Sequence, residues 1–351
     1  MTMLSMRLAL APVVLLAACG GGSDLPPLTT ATSLTCPDPG DLPFRLESTG
    51  YKNQASLNLS TEDPRVKDEA SDTLGNPGGT TANVYLADAD APPSSGGTVV
   101  FHGRKAVNTA TNGFIGNALP GEFVSLWTYD PATSAWLQLG RMQTDAAGFY
   151  DFPATAYVPA NGQPVYAMLE ANGTCAEHFT YLAPSGTKVV VVDIDGTLTL
   201  NDAEFQTEVG DETYVPKLMG AADKLTQAWT AKHYQIVYLT ARPHVFMTET
   251  RQWLESQGFP EGPVITENDF EEAHAYKALW LGRMVMDFGW DIFAAYGNAD
   301  TDIAAYADTM IPLDHTFIVG PEGGVGGTTA IPGLDFTAHI AAFVAAQPDN
   351  Q

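Results

Sequence analysis

The chain has 351 residues, with 41 acidic against 16 basic side chains and a formal net charge of −25. So acidic a surface lacks the basic face that nucleic acid requires, and it offers no electrostatic pull toward anionic lipid. The length allows about two domains, each with its own core.

At the N-terminus Arg7 precedes the apolar run Leu8 to Ala18, and Leu16-Ala17-Ala18-Cys19-Gly20 closes it. The run is too short to span a bilayer, which takes about 20 residues. Residues 1–18 resemble a bacterial lipoprotein signal peptide with a lipobox; an ordinary secretory signal is the alternative. The resemblance implies cleavage before Cys19 and acylation of that cysteine. The mature chain would then be lipid-anchored to a membrane of the cell envelope, facing the periplasm or the exterior. No other stretch is apolar enough for a transmembrane helix. With Cys19 acylated, Cys36 and Cys175 remain as an even pair in an oxidising compartment. A disulfide between them is expected, with two unpaired thiols as the alternative.

Residues 19–79 are rich in Gly, Ser, Thr, Pro and Asp and read as a tether, partly disordered. Between 80 and 184 short alternating apolar runs alternate with turn clusters: Thr81–Ala87, Thr98–Ala106, Glu122–Tyr129, Trp136–Leu139, Gln163–Glu170 and Glu177–Leu182. That spacing predicts a β-sandwich. Asp145 to Tyr150 resembles the Asp-x-x-Gly-x-Tyr turn of transthyretin-like domains. Trp127, Tyr129 and Trp136 read as core and rim aromatics of the sandwich, or alternatively as a contact patch.

Residues 185–351 carry the chemistry. Lys188 to Val192 is a near-continuous apolar run, the signature of a buried parallel strand, and it leads straight into Asp193-Ile194-Asp195-Gly196-Thr197. The carboxyl ends of such strands are where α/β sheets place their sites. The period-two rule sets Asp193 and Asp195 on one face. Two like charges so close need a cation or a shared proton. A turn or a calcium loop with Glu204 in twelfth position is the competing reading. A second strand over 234–242 ends at Thr240-Ala241, Lys277 sits in a helical stretch, and a third strand ends at Gly297-Asn298, followed by Asp300 and Asp302.

In that order these segments resemble the four motifs of the haloacid-dehalogenase-like phosphohydrolase superfamily, a Rossmannoid parallel α/β sheet. Asn298 replaces the commoner aspartate. The combination of Asp-Ile-Asp-Gly-Thr with Gly-Asn-x-x-x-Asp resembles the lipin-type phosphatidate phosphatases and the related C-terminal domain of the Nir/RdgB lipid-transfer proteins, as does Pro312 to Glu322. The resemblance implies Asp193 as nucleophile and Asp195 as general acid and base. It implies phosphate ligands from Gly196, Thr197, Thr240, Ala241 and Lys277. It also implies Mg²⁺ held by the Asp193 carboxylate, the Asp195 backbone carbonyl and Asn298, with Asp302 orienting Asn298 or Lys277. For Asp300, a simple helix N-terminal acid is an equal reading.

Residues 194–239 hold a short polar excursion (199–215) and a helix near 216–232. Residues 241–276 hold a helix over Phe246–Gln257 and a turn. Neither gap has room for a cap domain, and a capless site suits a bulky or surface-bound substrate. The expected function is a magnesium-dependent phosphatase of a phospholipid monoester such as phosphatidate. The alternatives are a phosphatase of soluble phosphomonoesters or phosphoproteins, and an inert lipid-binding or adaptor module. His102, His244 and His274 have no spacing that fits a metal site or a catalytic triad. Gly320–Gly327 reads as a loop near the site.

Overall fold

The structure, a computed structural model, describes residues 66–70, 73–75, 99–107, 117–118, 120–130, 132–154, 163–169, 175–211, 214–243, 246–267 and 272–350. The signal segment, Cys19, Cys36, most of the tether, the run Thr81–Ala87 and His244 lie outside these residues. The side chains of Cys175 and His102 do too, so the expected disulfide lies outside the description. Among the described residues no helix is long and apolar enough to cross a membrane.

The first nine strands are β1 (Val66–Ala70), β2 (Thr73–Gly75), β3 (Val99–Val107), β4 (Asn117–Ala118), β5 (Phe123–Asp130), β6 (Ala135–Gln143), β7 (Phe149–Ala154), β8 (Gln163–Leu169) and β9 (Cys175–Leu182). They form two sheets. One runs β1-β3-β4 with β7 also on β3; the other runs β2-β9-β8-β5-β6. Phe101 and Tyr150 of the first share an apolar cluster with Val124, Leu126, Leu139, Val165 and Ala167 of the second.

Two expectations change here. β1 and β2 fall inside the segment read as tether and pair with β3 and β9. Both are short and β1 is mostly charged, so period-two alternation is too brief to detect. β7 was hidden behind a turn: Asp145 Oδ1 accepts the N–H groups of Ala147 at 2.8 Å and Phe149 at 2.9 Å, and Gly148 takes φ +84°. Trp127 and Trp136 are 0% and 2% exposed, and Trp136 meets Tyr129 and Tyr166 edge-on. These tryptophans belong to the core and form no contact patch.

The remaining elements are β10 (Lys188–Val192), α1 (Ala203–Gly210), α2 (Ala222–Thr230), β11 (Gln235–Pro243), α3 (Met247–Ser256), β12 (Val264–Glu267), α4 (Ala273–Met286), β13 (Asp291–Gly297), α5 (Asp300–Asp308), β14 (Thr316–Val319), β15 (Thr329–Ile331) and α6 (Thr337–Ala342). The six strands pair in parallel in the order β12-β11-β10-β13-β14-β15.

The valine run explains why β10 lies at the centre. Val190 and Val192 pack with Leu225 and Trp229 of α2, Trp253 of α3 and Phe336 before α6. Val189 and Val191 pack with Tyr276, Trp280 and Met284 of α4 and Ala305 of α5. A strand covered by helices on both faces has no polar side to show. The direction of winding reverses between β10 and β13, and at that reversal a crevice opens beyond the carboxyl ends of the strands. Asp193 and Asn298 are the residues that follow these two strands.

Candidate active site

Asp193 leaves β10 with its backbone N–H still bonded to the Tyr296 carbonyl at 3.0 Å, so its position is set by the sheet. Its carboxylate is 4% exposed. Lys277, on α4, donates to Asp193 Oδ1 at 2.6 Å and to Asp302 Oδ1 at 2.7 Å. The Thr197 hydroxyl donates to Asp193 Oδ2 at 3.0 Å. Asp302 in turn accepts the N–H groups of Asn298 at 3.0 Å and Ala299 at 3.1 Å through Oδ2. Asp302 thus orients both Lys277 and the Asn298 backbone, and it closes the first turn of α5, where a carboxylate is favoured by the helix dipole. Asp300 begins that helix.

Electrostatically the three groups form a buried carboxylate–ammonium–carboxylate set. Burial raises Asp193 above the ordinary carboxylate range; Lys277 opposes this, while Asp302 and Asp195 add to it. Burial would depress Lys277, but Asp193 and Asp302 outweigh it and hold the ammonium above its usual value. The lysine is therefore charged at neutral pH, and its partners are held as a unit.

The turn after Asp193 is tight because Gly196 permits it. Its φ is +72°, and a Cβ there would come within 2.1 Å of Asn298 Nδ2 and 2.7 Å of Asp202 Oδ1. Two of the expected phosphate ligands lie in this turn. The Gly196 N–H is donated to Thr199 Oγ1 at 2.9 Å, and the Thr197 hydroxyl to Asp193. Both bonds shape the loop. Thr240 and Ala241 stand at the rim, where the pairing of β11 with β12 is irregular between Leu239 and Pro243. Thr240 Oγ1 accepts the Arg242 N–H at 3.1 Å, which leaves its own proton to point elsewhere.

The metal donors expected from the sequence are hard oxygens, which fits magnesium. Asn298 Nδ2 donates to Asp202 Oδ1 at 3.2 Å, and this turns Oδ1 toward Thr197, 3.3 Å from its hydroxyl. The amide oxygen thus faces the Asp193 side. Among the described residues no three His, Cys, Asp or Glu side chains converge on a metal-sized site. The expected set uses an amide and a backbone carbonyl beside the single Asp193 carboxylate. Glu204 does not act as a twelfth loop ligand, because its Oε2 accepts from Tyr214 at 2.5 Å and from the Lys217 N–H at 2.9 Å.

Sequence reasoning missed Arg242. It grips Asp195 through two bonds, Nε to Oδ2 at 2.9 Å and Nη2 to Oδ1 at 2.8 Å, with its own side chain fully buried. An arginine one residue past Thr240-Ala241 belongs to none of the motifs read. The signal available was chemical: an arginine at the rim strand, two residues beyond the threonine, where an acidic site needs a counter-charge. The polar excursion at 199–215 holds α1, which the sequence did not announce. The helix is short and mostly polar, so its period is faint.

Residues 190–320 match the family model for the LNS2 domain of PITM 1-3. Membrane-associated phosphatidylinositol transfer protein 3 of Homo sapiens is 27% identical over 310 residues, which cover 86% of this chain and 30% of that protein. Protein retinal degeneration B of Drosophila melanogaster is 27% identical over 220 residues, covering 62% of this chain and 17% of that protein. The chain thus spans less than a third of these relatives. Among solved structures, phosphoserine phosphatase in its apo form aligns with TM-score 0.34 and 12% identity over 45% of this chain and 99% of that one. A heptose bisphosphate phosphatase from B. bronchiseptica, complexed with magnesium and phosphate, aligns with TM-score 0.30 and 13% identity over 44% of this chain and 97% of that one. The part of the chain similar to the LNS2 domain, a haloacid-dehalogenase-like domain, is the part that carries every residue of this site.

Proposed function

We propose that the chain is a magnesium-dependent phosphatase acting through an aspartyl-phosphate, on a phospholipid monoester such as phosphatidate. One observation carries the reading. Asp193 is fixed at the winding reversal between Lys277 and Thr197, and a second carboxylate, Asp195, stands two residues on. In the first step a bond forms between an Asp193 oxygen and phosphorus as the bond from phosphorus to the leaving oxygen breaks. Asp195 gives its proton to that oxygen. In the second, Asp195 takes a proton from water, the water oxygen bonds to phosphorus, and the Asp193–phosphorus linkage breaks. Inorganic phosphate leaves and both side chains are restored. Lys277, Thr240 and the Ala241 N–H hold the phosphoryl oxygens. Magnesium, bound by Asp193, the Asp195 carbonyl and Asn298, would add positive charge against those oxygens.

The lipid substrate rests on the absence of a cap-sized insertion and on the similarity to an LNS2 domain. The test is phosphate release from phosphatidate, lysophosphatidate and soluble monoesters, with and without magnesium. Release from the lipid esters in preference to the soluble ones is expected. Equal or greater release from soluble esters would remove the lipid assignment. The relatives are named as transfer proteins, which favours a second reading, a lipid-binding module without turnover. Binding of phosphatidate with no phosphate release in any arm would establish that second reading.

Asp195→Asn should lower turnover by a factor on the order of 10² or more, the usual scale for a lost general acid. An unchanged rate in that variant would take Asp195 out of the chemistry. Excess chelator should stop turnover and added magnesium restore it, and Asn298→Ala should raise the magnesium concentration needed. Full activity under chelation would remove the metal from the scheme.

We further propose a signal peptide over 1–18, a lipid anchor at Cys19, a tether, a β-sandwich unit and the phosphatase unit in that order. The acyl chains would hold the chain at about 0.8 kcal/mol per buried CH₂. Cys19→Ser should then move the protein out of the membrane fraction with activity on a soluble ester unchanged. Retention after a salt wash would contradict the anchor.

A further inference from the structure

Arg242, near the end of β11, joins the Asp195 turn, α1 and α3. Beyond its two bonds to Asp195, Nη1 lies 3.2 Å from Glu208 Oε2 and donates to Thr250 Oγ1 at 3.2 Å. The guanidinium also sits 4.5 Å from the centre of the Phe205 ring, which meets Phe246 edge-on at 5.0 Å. Phe205 and Glu208 belong to α1, the helix of the excursion; Thr250 belongs to α3.

Asp195 needs such a hold. It lies in the turn past the end of β10, beyond the last residue paired with β11, Val192. A planar fork bonding both oxygens fixes the carboxylate's plane as well as its place, which a lysine cannot do. Each carboxylate oxygen has two lone pairs, so the clasp leaves one on each oxygen for exchange with a leaving oxygen or with water. A displacement of about 1 Å at such a group costs on the order of 10² in rate.

We propose that Arg242 is a positioning residue for Asp195, aligned in turn by Phe205 and Glu208 of α1, so that the excursion holds the proton-transfer side of the site in register. This rests on the phosphatase reading. It predicts that loss of Arg242 copies loss of Asp195 rather than a general weakening of the fold.

Proton transfer matters greatly when an alkoxide must leave and little when p-nitrophenolate leaves, because the latter is stable without a proton. The experiment therefore measures kcat and KM of the full chain on an alkyl phosphomonoester and on p-nitrophenyl phosphate, for wild type, Asp195→Asn, Arg242→Gln and Arg242→Lys. Arg242→Gln should lower kcat/KM, which reports only the steps through departure of the leaving group, by about 10²-fold on the alkyl ester and by less than about tenfold on the aryl ester; kcat, which also includes the water step shared by both, is compared separately. Arg242→Lys should show the same imbalance, since it keeps the charge and loses the fork. If Arg242→Gln fails to fold by circular dichroism, the alkyl-to-aryl ratio of Arg242→Lys decides alone. Equal losses on the two esters, or a gain on the alkyl ester, would overturn the proposal. Wild-type protein that cleaves neither these esters nor phosphatidate would overturn the phosphatase reading itself, which is a separate outcome.

Discussion

Asp193→Asn is expected to abolish phosphate release, by a factor on the order of 10⁴ or more, while the protein folds as before. The amide has no charge and no available lone pair on nitrogen with which to attack phosphorus. The fold survives because the neighbours remain served. Lys277 keeps Asp302 at 2.7 Å, and the amide oxygen can still accept from Thr197 or Lys277. Burial already works against a charged Asp193, so a neutral residue of the same shape relieves that cost. The melting temperature of the variant should equal or exceed that of the wild type. Turnover near the wild-type level in the purified variant would remove Asp193 as nucleophile.

Lys277→Met is expected to destabilise the protein by about 3–5 kcal/mol, measured by urea denaturation. The methionine fills the channel of the lysine stem but leaves Asp193 and Asp302, both buried, without the cation they share. The deficit should grow with pH. Without the ammonium, the burial that already raises Asp193 acts unopposed, so the native state binds more protons than the unfolded chain across the intervening range. Stability then falls as pH rises through that range, and the variant should compare worse with the wild type near pH 8 than near pH 5. Adding Asp302→Asn to Lys277→Met should recover part of the loss, because it removes one of the two stranded charges. A deficit that stays constant with pH would mean that lost packing, not uncompensated charge, is the cause.

Those two side chains also show what the sequence made legible. The valine run before Asp193 announced a strand buried on both faces, and the structure places it at the centre of a parallel sheet. The acids and the lysine were readable because each ends or lies on an element with a strong pattern. What escaped had weak local signals. β1 and β2 are short, and what holds them is pairing with β3 and β9, distant in sequence. α1 is one short polar helix, held by Glu204 to Tyr214 and Lys217 and by Arg242 to Glu208. The bonds of the Gly196 N–H to Thr199 and of the Thr197 hydroxyl to Asp193 join groups whose geometry the sequence does not show. Arg242 became visible only when the sheet brought it against Asp195, 47 positions away in sequence.

The central claim is that Asp193 becomes covalently phosphorylated. The most direct measurement mixes the magnesium-loaded full chain with a phosphomonoester, quenches with acid within a turnover, and maps the phosphoryl group by peptide mass spectrometry. The modification is expected on the peptide carrying Asp193, and is expected to be absent in Asp193→Asn. Phosphate release by the wild type with no phosphoryl group on Asp193 at any quench time, or with the group on another residue, would contradict it.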